Sequence, residues 1–126
     1  MSTKPAAGQR WRYATPEGFE SSRIVVGAVV SFAEHEPVVC CIVEHAAQRT
    51  PAGGIERVTI PFLPMTHAAF QRTVSGEDGS GDVPEAFGRH YANWREDARG
   101  LSYFTVPFPG FLDQMIAHQM QEMIKS

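Results

Sequence analysis

Five histidines and two adjacent cysteines are the side chains of this 126-residue sequence best suited to hold a metal or attack a substrate. His35, His45, His67, His90 and His118 form no His-x-His or His-Glu-x-x-His pair, and Cys40 and Cys41 leave no spacer for a Cys-x-x-Cys grip. Any metal would need ligands gathered from separate elements. Cys41 and His45 share one face of an extended strand, but four residues put them about 13 Å apart, too far to hold one ion. The sequence points to no metal and no cofactor. Successive strand residues face opposite ways, so the two cysteines do not bond to each other. They read as small core residues kept reduced, which suits a reducing compartment.

Other chemistries find little support. No Gly-x-Ser-x-Gly elbow surrounds a serine. The glycines from Gly76 to Gly81 lack the lysine of a phosphate loop, and Glu77, Asp78 and Asp82 would repel phosphate. Glu34, Glu36 and the acidic group around Asp78 have no apolar neighbours to raise a pKa and read as solvated charges. No catalytic residue is assigned, and the expectation leans away from an enzyme. Four side chains remain as candidates for binding. Arg10 and Arg12 flank Trp11 on the first strand, and aromatics with arginine are typical of binding hot spots. Burial of Trp11 and Tyr13 in the core is the plainer reading. His45 and His67 could supply a polar group to a pocket between sheet and helices.

The elements that must position these groups follow from periodicity. Trp11, Tyr13 and Thr15 alternate with Arg10 and Arg12, as in a half-buried strand. Residues 22–32 form a second strand, with Ile24, Val26, Ala28, Val30 and Phe32 on one face and Gly27 marking a bend or bulge. Residues 38–45 are apolar on both faces, as in a central strand. Residues 55–62 form a fourth, with Val58, Ile60 and Phe62 inward. A short helix is expected over 64–74 and an exposed loop over 75–82. Asp82 and Glu85 have capping-box spacing for a helix over 84–99 that carries Phe87, Tyr91, Trp94 and Ala98 and stops at Gly100. Residues 101–108 read as a fifth strand. A last helix carries Leu112, Met115, Ile116, Met120 and Met123.

Composition bounds the rest. The chain is 43% hydrophobic and 20% charged, as in an ordinary globular domain, and long enough to fold on its own core. A net charge of -3 lacks the basic footprint of nucleic-acid binding. No apolar run approaches the roughly 20 residues of a membrane span. Residues 1–8 lack a signal peptide's apolar core, so a cytoplasmic location is expected. They read as a disordered tail before a single domain over 9–126.

Gly8-Gln9-Arg10-Trp11-Arg12-Tyr13, followed by Glu17 and Ser22-Arg23-Ile24, resembles the start of small uncharacterised bacterial proteins with a Gly-x-x-Trp-x-Tyr opening. The likeness covers the first third of the chain and carries no activity with it. It implies a bacterial origin and a stand-alone small domain. The expected fold is α+β: a curled antiparallel sheet of about five strands, SH3-like in its first half, packed with two or three helices. The expected function is a non-enzymatic binding or interaction protein that forms a homodimer. The alternative is a small enzyme or ligand carrier with a pocket between sheet and helices.

Overall fold

Four β-rich segments separated by turns do form the first four strands. In the structure, a computed structural model that describes residues 5–33, 36–97 and 102–125 and side chains up to residue 121, they are β1 (Gln9–Tyr13), β2 (Arg23–Val30), β3 (Val38–Arg49) and β4 (Ile55–Thr66). The remaining elements are α1 (His67–Thr73), β5 (Val74–Ser80), α2 (Glu85–Arg95) and α3 (Leu112–Lys125). The fold is α+β. Its five strands make one antiparallel sheet in the order β4-β3-β2-β1-β5. The sheet is open, with β4 and β5 at its edges, and does not close into a barrel.

The fifth strand is not the expected one. Residues 75–82 were expected as a loop, yet β5 occupies most of that stretch and pairs with β1. An edge strand needs little β-propensity when a neighbour supplies the ladder, and here Gly79 takes a positive φ of 77°. Residues 102–108 make only an isolated bridge, Phe104 beside Met65. Pro107 and Pro109 deny that segment the donors of a continuous ladder.

Helix boundaries also move. Pro64 and Met65 remain in β4, and α1 begins after Thr66, whose hydroxyl accepts from the Ala69 N–H at 3.2 Å. Pro84 is the N-cap of α2 and no side chain caps it, so the Asp82–Glu85 box does not form. The helix is capped at Glu96, and Ala98 and Gly100 lie outside the described residues. Of the expected tail, residues 1–4 lie outside them too. Gly8 bonds to both Val26 and Gly81 through its backbone.

Both sheet faces are apolar, and each has a cover. Trp11, Tyr13, Ile24, Val26, Val39, Cys41, Val43 and Leu63 line the first, under Phe70 of α1, Val106, Phe108 and Met115 of α3. Val25, Val30, Val38, Cys40 and Ile42 line the second, under Phe87 and Trp94 of α2. The cysteines are free and fall on opposite faces, as strand alternation requires.

Register shifts interrupt that alternation at three places along β2, β3 and β4, beside two more in the β1–β5 ladder. One lies between Val26 and Ala28, so Ala28 and Val30 change face relative to Ile24 and Val26. Another brackets Glu44 and His45, where His45 adopts φ 52°. The third brackets Pro61 and Phe62, and it sends Phe62 to the second face while Ile60 and Leu63 stay on the first. An extra residue reverses every side chain beyond it.

Candidate functional site

Helix α2 covers only part of the second face. Arg10 pairs in register with Val25, and Arg23 with Glu44, so these charged side chains share that face with Val25 and Ile42. Three guanidinium groups converge there on Asp78 of β5. Arg23 Nε donates to Asp78 Oδ2 at 2.7 Å, Arg12 donates to Oδ1 at 3.2 Å, and Arg10 Nε donates to the Asp78 carbonyl at 3.1 Å. The hydrogen bond from Arg23, with the charges of Arg12, Arg23 and Arg10, holds the Asp78 carboxyl below its ordinary value of 3.8. Asp78 is therefore an ion-paired residue rather than a solvated charge.

A shallow depression beside this cluster is lined by Arg10, Ser21, Arg23, Glu44, His45 and Asp78. The structure thus brings two of the four candidates, Arg10 and His45, to one place, with Arg12 reaching the same Asp78. His67 stands elsewhere, at the start of α1, beside Pro5, Val29, Ser31 and Pro37. Trp11 and Tyr13 are buried under the first-face cover, so they make no recognition surface with the arginines. Tyr13 bonds to Ser22, which donates to the Glu44 carbonyl. The arginine cluster is open and structurally employed, tying edge strand β5 to β1 and β2.

A second site escaped the sequence. Phe62 and Pro64 of β4, His90 and Trp94 of α2, Ser102, Tyr103 and Phe104 of the following segment, and Gln119 of α3 line a cleft of about 440 Å³. Phe62 and Trp94 form adjoining walls, with ring centroids 5.6 Å apart and planes inclined at 57°. The segment 102–104 is held firmly. Trp94 Nε1 donates to the Ser102 carbonyl, Phe104 N–H donates to the Pro64 carbonyl at 2.9 Å, and the Phe104 carbonyl accepts from Thr66 at 2.9 Å. The Phe87–Tyr91–Trp94 stripe was readable as a helix face, but the residues that complete the cleft come from three separate segments.

No family model, curated protein or solved structure matches the chain. Its chemistry must be read from these residues alone. Among the described residues, no three His, Cys, Asp or Glu side chains gather as a metal site would require. Burial pushes the Cys40 thiol up to about 12, with Arg95 partly opposing, and pushes Cys41 well above its ordinary value. Neither is a thiolate nucleophile at neutral pH. No helix among the described residues is long and apolar enough to cross a membrane.

Proposed function

We propose that this is a small non-enzymatic binding protein of the bacterial cytoplasm whose ligand site is the aromatic cleft between β4, α2 and α3. The observation that carries the reading is the cleft's lining: Phe62, Pro64, Trp94, Tyr103 and Phe104, with His90, Ser102 and Gln119 as polar groups. Small-molecule sites are concave, mostly apolar, about 300–1,000 Å³ in volume and furnished with a few placed polar groups. The cleft fits that description, and the arginine cluster does not. Buried reduced thiols and the Gly-x-x-Trp-x-Tyr opening support the location and origin.

Titration with ethylnaphthalene, a flat apolar probe, tests the site. Proton–nitrogen correlation spectra should show saturable shifts of the Trp94 indole N–H and of the amides of residues 102–104. The Trp11 indole, buried on the other sheet face, should not move. Absence of any saturable shift up to the probe's solubility limit would overturn the reading.

A second reading, self-association into a homodimer, is favoured by Ile116 and Met120 of α3, which are 44% and 56% exposed. Apolar side chains one turn apart on an exposed helix face gain by being covered. Two-fold pairing is the commonest way to cover them.

A further inference from the structure

We propose that the cleft selects flat conjugated molecules bearing a hydrogen-bond acceptor, a carbonyl oxygen above all, and that the Gln119 side-chain amide makes the selection. This rests on the cleft being the binding site. Gln119 Oε1 accepts from the Thr105 backbone N–H at 3.1 Å and from the Thr105 hydroxyl at 3.0 Å. A backbone N–H can only donate, so the oxygen must be the amide atom turned toward Thr105. The side-chain NH₂ is thereby turned away from Thr105, and no group among the described residues accepts from it. Gln119 lines the cleft, so this is a donor of fixed orientation at an aromatic-walled site.

Two of the other donors nearby are committed. Trp94 Nε1 is spent on the Ser102 carbonyl, and the Phe104 N–H on Pro64. His90 and Ser102 are solvent-exposed, where water competes for them. A ligand seated between the rings therefore gains from an acceptor placed at Gln119, whose NH₂ is held in orientation by the Thr105 bonds. Charge points the same way. No acidic side chain is among the lining residues, and Arg95 sits over the Tyr91 ring of α2 and donates to its hydroxyl. A cationic ligand would find no counter-charge here, whereas an acceptor-bearing neutral or anionic one meets no repulsion. The ring walls favour a planar partner that stacks or meets them edge-on.

Acetylnaphthalene and ethylnaphthalene have nearly the same shape and differ in the carbonyl oxygen, so their affinity ratio isolates the acceptor. The parent protein should bind acetylnaphthalene about fivefold more tightly, the worth of one net neutral hydrogen bond. Gln119→Glu keeps an acceptor oxygen for both Thr105 donors and loses the N–H donor. It should abolish the preference, read as the ratio of the two affinities within that variant. Gln119→Leu, which removes donor and acceptor together, should abolish it too. Equal affinities in the parent, or a preference that survives both substitutions, would overturn the role of Gln119 and leave the cleft as the binding site. Failure of both probes to bind would overturn the cleft itself.

Discussion

Trp11 and Trp94 are both buried, but only one has a partner for its indole N–H. Trp94 donates to the Ser102 carbonyl, whereas Trp11 Nε1 is buried without an acceptor among the described residues and its ring meets Phe70 edge-on, at 86°. A buried unsatisfied donor carries a desolvation cost of about 1–3 kcal/mol, which an apolar replacement removes. Trp11→Phe should therefore cost less stability than Trp94→Phe, by about 1–2 kcal/mol in urea melts. The reverse order would show that the Trp11 N–H is bonded. The sequence could assign such residues to faces but not to partners. Alternation of Trp11 and Tyr13 with Arg10 and Arg12 correctly put the aromatics inside and the arginines out. What the arginines meet depends on β1 lying between β2 and β5, and that pairing brings in Arg23 and Asp78. Likewise, periodicity exposes the Phe87–Trp94 stripe, yet nothing local says that Phe104 and Gln119 close a cleft against it.

Among the elements, the four hairpin-linked strands and two longer helices were legible because strong periodic patterns mark them. The register shifts were not, apart from the one Gly27 signals, since an inserted residue leaves the hydrophobic pattern looking continuous. Gly27 also has a packing role. A Cβ there would overlap the Phe87 ring of α2. Gly27→Ala should cost about 1–3 kcal/mol by overpacking, and Phe87→Leu should recover part of it, so that the double variant loses less than the sum. Additive losses in denaturant melts would mean that the two positions do not touch. Strand β5 was illegible for another reason: its glycines and acids resemble a loop, and its stability is borrowed from the arginines of β1 and β2. Asp78 has a depressed folded-state pKa, so its contribution is complete above the ordinary value of 3.8 and is lost as pH falls through the depressed one. Asp78→Asn should flatten the loss of stability below about pH 4 relative to the parent. It should also speed amide exchange in β5 at neutral pH. Unchanged β5 exchange would show that the backbone ladder with β1 holds the strand unaided.

At the scale of the whole molecule, the apolar parts of both sheet faces are covered within one chain. The second and third strands are apolar on both sides, and α2 on one side and α1, residues 104–111 and α3 on the other cover them. The outer side of α3 carries two of the exposed apolar side chains. Met115 is fully buried against the sheet, while Ile116 and Met120 point outward; the Met123 side chain lies outside the described residues. Near the start of that helix, Arg49 pairs with Asp113 at 2.9 Å, and its register partner Ile55 is 51% exposed. Self-association, if it uses this surface, depends on Ile116 and Met120 and not on Met115. Sedimentation at micromolar concentration should show a dimer. The double substitution Ile116→Glu with Met120→Glu should shift it to monomer without lowering the melting temperature at matched low concentration, because both side chains are already in water in the single chain. Met115→Glu should instead unfold the domain, since it places a carboxylate in a fully buried apolar site. A parent that stays monomeric at high concentration would remove the homodimer and leave the aromatic cleft, which shares none of these side chains, as the protein's binding surface.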